Sequence, residues 1–142
     1  MSTLLPDANL LLALAWPNHQ FHAAAHAWFA RDATGGWATC AFTQLAFVRL
    51  SSSPAYTPRP VTPFEACRLL AQWTTRSEHV FWPEQPPPQP TDFARALGHQ
   101  QVNDSYLLRL AEHHGGTVVT FDARLRALAG NPARLTVLAV TT

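Results

Sequence analysis

Apolar residues come in short runs along this chain, each cut off by a polar or proline-containing break. Leu4 and Leu5 read as a brief strand halted at Pro6-Asp7. Residues 8–15 are a helix-favouring run of Ala and Leu that Pro17 brings to an end. Over residues 19–31, Phe21, Ala24, Ala25, Trp28 and Phe29 recur at helical spacing and predict a second, amphipathic helix. Gly35-Gly36 reads as a turn and residues 37–40 as a buried strand, with Thr43 as the cap of a helix carrying Leu45, Phe47, Val48 and Leu50. A Ser- and Pro-rich loop follows over residues 51–60, then a helix from Pro63 to about residue 75, with proline in the favoured first turn. Residues 80–82 form a strand candidate. Five prolines in residues 83–90 predict an extended surface connection. Thr91 and Asp92 read as the cap of a short helix to Leu97, and residues 103–114 as a clear helix ending at Gly115-Gly116. Residues 117–121 are the best strand in the chain, Asp122 starts a helix to residue 129, and the last strand spans residues 135–140. Short apolar strands alternating with helices predict an α/β fold, with a central, mainly parallel β-sheet flanked by helices.

Composition narrows the chemistry. A chain of 142 residues, 47% hydrophobic and with a formal net charge of +1, is long enough for one core, so residues 1–142 are expected to form one domain. All of the basic residues are arginine. The missing lysine excludes P-loop nucleotide sites and Schiff-base enzymes, and counts against α/β phosphatases and receivers that use a catalytic Lys. Near-neutral charge gives no bulk electrostatic signature for nucleic acid, so any such binding must come from a site. Cys40 and Cys67 are too few for a disulfide framework and fit a reducing compartment. The first positive side chain is Arg31, so no basic leader is visible and a cytoplasmic location is expected. The longest apolar stretch, residues 10–16, is far short of the ~20 residues a membrane span needs, and no membrane partner is expected.

Three of the aspartates occupy matching places. Asp7 and Asp122 each follow a predicted strand, and Asp104 lies in the first turn of the helix that precedes the second of those strands. In an open parallel sheet the carboxyl ends of the strands form the ligand-binding edge, so these acids are expected at one edge. Each alone has a plain reading as a helix cap or first-turn acid. Crowded together they would repel one another unless a cation compensated, and an all-oxygen donor set selects Mg²⁺ or Mn²⁺. His19, His22 and His26 share a helical face, but without a fourth ligand they read as solvated or helix-packing residues rather than as a zinc site. The tryptophans read chiefly as core and interface residues. Arg49, Arg59, Arg124, Arg126 and Arg134 are candidate phosphate contacts or ordinary solvated side chains.

An ordered set of segments resembles the PIN-domain family, and within it the VapC-type toxins of type II toxin–antitoxin pairs. These are Leu5-Pro6-Asp7-Ala8-Asn9, Trp37-Ala38-Thr39-Cys40 with Thr43-Gln44-Leu45-Ala46-Phe47-Val48-Arg49, Asn103-Asp104-Ser105-Tyr106-Leu107-Leu108, and Thr120-Phe121-Asp122. The resemblance implies a Mg²⁺- or Mn²⁺-dependent endoribonuclease, with an RNA substrate, a cognate antitoxin and a homodimer as partners. It carries the metal-binding acids onto Asp7, Asp104 and Asp122. A fourth catalytic position falls on Gln44, where many relatives have Glu; the amide brings an oxygen but no charge. Asn9, Thr43, Ser105 and Thr120 are the hydroxyls and amide expected to orient the carboxylates. Gln44 supports the alternative, a catalytically weak PIN-like module that binds RNA or protein.

Overall fold

A computed structural model describes residues 2–83 and 85–140. Residues 1, 141 and 142 of the expected domain, and Glu84 of the proline-rich connection, lie outside the described residues. The elements run β1 (Leu4–Pro6), α1 (Ala8–Ala15), α2 (His22–Asp32), β2 (Trp37–Cys40), α3 (Ala41–Ser51), α4 (Pro63–Thr74), β3 (His79–Trp82), α5 (Val102–His113), β4 (Thr117–Thr120) and β5 (Leu135–Val137), with 3₁₀ turns between several of them. The five strands form one sheet in the order β3-β2-β1-β4-β5. Every pairing is parallel. The mainly parallel sheet of the sequence reading is thus wholly parallel among the described residues.

Alternation along the strands sends side chains into two cores, one on each face. Trp37 and Val119 join Leu10, Leu12, Leu14, Trp28 and Phe47 on the face covered by α1 to α4. Leu5, Ala38, Cys40 and Val118 join Leu107, Leu110 and Leu125 on the face covered by α5. Leu10 to Leu14 are all buried, so α1 is apolar on every side and sits inside the molecule. Its last carbonyls are satisfied by imidazoles of α2: His22 Nδ1 donates to the Ala13 carbonyl (2.7 Å) and His26 Nε2 to that of Leu14 (2.8 Å). The histidine face is therefore a helix-to-helix lock, as its packing reading required.

Some boundaries moved for local reasons. The second helix begins at His22, because His19 Nδ1 accepts the Phe21 N–H and folds the preceding residues into a turn. Thr43 is not the cap of α3. Cys40 occupies that place with extended backbone, and Thr43 sits one turn in, its Oγ1 accepting the Cys40 N–H. The segment after Asp122 is a 3₁₀ turn (Ala123–Ala127) rather than an α-helix, and another short 3₁₀ turn (Pro90–Phe93), capped from Gln89, replaces the helix expected up to Leu97. Gly116 is required by close approach: a Cβ there would lie 2.6 Å from the Trp82 ring and 2.7 Å from the Thr3 carbonyl.

Candidate active site

The chain leaves β1 toward β2 on one side and returns on the other as β4, so the strand order reverses between these two neighbours. Such a switch point opens a crevice at the carboxyl ends of the strands. Asp7 stands at the end of β1 and Asp122 just past β4, while α5, running back toward β4, presents Asp104 in its first turn. Asp104 and Asp122 lie close enough to Asp7 for their charges to raise its pKa, and the Asp122 charge likewise raises that of Asp104.

Asp7 is the most enclosed, 8% exposed. As the N-cap of α1 its Oδ1 accepts the Leu10 N–H at 2.9 Å, and its Oδ2 accepts the Thr120 hydroxyl at 2.5 Å. Burial pushes its carboxyl up from 3.8 to about 6 against those two hydrogen bonds, with the charges of Asp104 and Asp122 adding to the rise. Thr120 is also the acceptor for the Asp122 N–H (3.0 Å), so one hydroxyl ties the two strand-end acids together. Half-buried Asp104 is raised by burial and then by the Asp122 charge, with Arg124 opposing. Asp122 goes the other way. Its carboxylate accepts the Arg124 backbone N–H and a two-pronged contact from the guanidinium, Nε at 2.9 Å and Nη2 at 2.8 Å, which holds it below the usual carboxylate range.

Gln44 is oriented elsewhere. Its Nε2 donates to Thr39 Oγ1 (2.9 Å), which in turn pairs with His79 Nε2 (2.8 Å), so its amide is joined to β2 and β3 rather than to a carboxylate. Of the four residues expected to orient the acids, Thr120 does so. Thr43 is engaged with Cys40, and Asn9 Oδ1 receives the Tyr56 hydroxyl (2.7 Å) and His19 Nε2 (3.0 Å). Buried Ser105 makes no hydrogen bond to an acid among the described residues. Sequence reasoning missed Tyr56, whose hydroxyl is raised by burial and by the Asp7 charge. No local spacing marks it, since it arrives from the loop after α3. It also missed the Asp122–Arg124 pair, which the two-residue spacing within a capped turn does signal.

A hollow of about 630 Å³ opens beside Asp104 and Asp122, walled by Leu97, Gln101, Arg124, Leu125 and Leu128. Among the described residues, no three His, Cys, Asp or Glu side chains close around a common point tightly enough to grip an ion between them. Asp7 and Asp104 nonetheless have no ion-pair partner among the described residues, and both carry raised pKa values. Two hard, mutually repelling carboxylates suit a cation that keeps most of its water, as Mg²⁺ does when held by one or two acids.

Comparison with known proteins agrees with this architecture. The PIN domain family model matches residues 4–131. Ribonuclease VapC39 of Mycobacterium tuberculosis is 41% identical over 126 residues, covering 87% of this chain and 91% of that protein. Ribonuclease VapC38 of the same organism is 39% identical over 125 residues (88% and 89%), and Ribonuclease VapC44 is 41% identical over 128 residues (88% and 89%).

Proposed function

The chain belongs to the PIN-domain family, alongside the VapC proteins, and from that premise we propose that it is a Mg²⁺- or Mn²⁺-dependent endoribonuclease, the toxin of a type II toxin–antitoxin pair. The observation that carries the reading is the convergence of Asp7, Asp104 and Asp122 at the switch point, with the buried Asp7 carboxyl pushed up to about 6. Asp7 and Asp104 would hold the cation, and Asp122 would steady either the cation or the attacking water. A bound divalent cation supplies charge at the scissile phosphate and lowers the pKa of water. The chain's own groups set the rest. Thr120 Oγ1 fixes Asp7 Oδ2, the Leu10 N–H fixes Oδ1, and Arg124 keeps Asp122 ionised. Asp104 has neither a hydrogen bond nor an ion pair among the described residues, so its oxygens are free to accept from water. Neutral pH lies above the raised value of about 6 for Asp7, which is then anionic.

Partners follow from the surface. Leu45 (69% exposed), Phe64 (70%) and Leu97 (95%) leave apolar area for an antitoxin helix or a second copy of the chain. An arginine from the antitoxin would pair with the acids in the cation's stead. No helix of the described residues is long and apolar enough to cross a membrane. The test is incubation of defined RNAs with the purified protein in Mg²⁺, in Mn²⁺ and in EDTA, beside Asp7→Asn. Cleavage that needs the cation and fails in the variant is the expected result. RNA that is bound but never cut would favour the binding-module reading.

A further inference from the structure

Behind the acids, a second hollow of about 630 Å³ is lined by Arg95, Ser105, Arg109, Glu112, Asn131 and Arg134, among others. It neighbours the first: Leu128 lines both, and α5 gives Asp104 to one and Ser105 to the other. Resting on the ribonuclease reading, we propose that this hollow is a subsite for an RNA backbone phosphate flanking the one that is cut, with Arg95 and Arg134 as its ligands.

Charge singles these two out. Arg109 is neutralised by Asp92, Nε to Oδ1 at 3.0 Å, and that carboxylate is only 4% exposed. Among the described residues Arg95 and Arg134 form no ion pair, and Glu112 is the one further acid in the lining. Two uncompensated guanidiniums therefore face one carboxylate.

Arg134 is held without being neutralised. Its Nη1 donates to the Gly116 carbonyl at 2.9 Å, which fixes the plane of the guanidinium but leaves its charge intact. Its Nε is shut away from solvent and has no acceptor among the described residues. Arg95 is exposed and lies over the loop that leads to Arg134, its Nε 3.7 Å from where a Cβ on Gly130 would stand. The two forks thus flank one hollow from separate segments of the chain, and a guanidinium fork matches the oxygens of a phosphodiester.

The subsite answers a difficulty in the site itself. A cluster of acids repels the polyanion it must cut, and contacts to neighbouring phosphates supply both the attraction and the register. An RNA strand that runs on from the acids past Leu128 meets Arg95 and Arg134 next.

The test is equilibrium binding of a short labelled single-stranded RNA to the full chain, followed by fluorescence anisotropy in EDTA across a salt series. The proteins are the wild type, Arg95→Gln, Arg134→Gln, the double variant, and Arg68→Gln as a charge-matched control on exposed α4. The slope of log Kobs against log salt is expected to shrink by about 0.7 for each of Arg95 and Arg134, and by about 1.4 for the double variant, with Arg68→Gln unchanged. Arg95→Gln touches nothing the fold depends on, so it decides the matter even if Arg134→Gln unfolds through loss of the Gly116 contact. A wild-type slope in Arg95→Gln, or an equal drop in Arg68→Gln, overturns the subsite and leaves the ribonuclease reading standing, since that reading is decided by cation-dependent cleavage. A wild type that binds no RNA overturns the subsite, and loss of cation-dependent cleavage as well would overturn the ribonuclease reading.

Discussion

Asp7→Asn is expected to make the cation-free fold more stable at neutral pH while removing a carboxylate the proposed activity depends on. The Asp7 carboxyl rises from 3.8 in an ordinary setting to about 6 in the fold. Between those values the folded chain keeps a proton that the unfolded chain has lost, so stability is greatest at low pH and falls as pH climbs toward about 6. At about 1.4 kcal/mol per pH unit the full cost is about 3 kcal/mol, of which about half is still to come between pH 5 and pH 8. Asn caps a helix as well as Asp does, so the Leu10 N–H keeps an acceptor. The Thr120 hydroxyl, however, meets an amide NH₂ where it met an oxygen, which costs about 1 kcal/mol. The net gain is then about 2 kcal/mol at pH 8, or about 4–8 °C in Tm, and less than 1 kcal/mol at pH 5. Urea unfolding of both proteins in EDTA at the two pH values reads this directly. A variant less stable than the wild type at pH 8, or equally stabilised at both pH values, would refute the account of Asp7 as a buried, ionised strand-end acid.

Other perturbations test neighbouring parts of the argument. Gly116→Ala drives a methyl into Trp82 and the Thr3 carbonyl and is expected to lower the urea midpoint by about 1–3 kcal/mol of stability; an unchanged midpoint would mean β1 and Trp82 have room to part. Thr120→Val removes a hydrogen bond that holds the Asp7 carboxyl down, so a carboxyl titration followed by NMR should show Asp7 rising above about 6. Gln44→Glu sets a carboxylate where Thr39 now receives an N–H. It should lower the melting point of the cation-free protein by about 1 kcal/mol of stability, and no change would mean this side chain has turned away from Thr39.

Much of this was legible in the sequence because the signals were local. The α1 boundaries were set by the Asp7 cap and the Trp16-Pro17 break, and the α5 end by Gly115-Gly116. Asp7, Asp104 and Asp122 could be placed at one edge because a parallel sheet sends every strand end, and the start of every returning helix, to the same side. What escaped were effects of partners distant in the chain or of competition within a turn. The start of α2 depends on the His19 imidazole taking the Phe21 N–H. The 3₁₀ turn after β4 reflects Asp122 gripping Arg124 at both backbone and side chain. Gln44 is aimed by Thr39 and His79, and the second hollow joins Arg95 to Arg134 across β4 and α5. None of these has a sequence period.

The central claim is that Asp7 and Asp104 hold one cation with Asp122 in support, and a calorimetric Mn²⁺ titration of the wild type beside Asp7→Asn, Asp104→Asn and Asp122→Asn tests it most directly. Loss of one ligand charge is expected to weaken binding about tenfold or more in Asp7→Asn and Asp104→Asn, equivalent to at least about 1.4 kcal/mol, with a smaller loss in Asp122→Asn, whose charge is already shared with Arg124. Wild-type affinity retained in both Asp7→Asn and Asp104→Asn would contradict the claim.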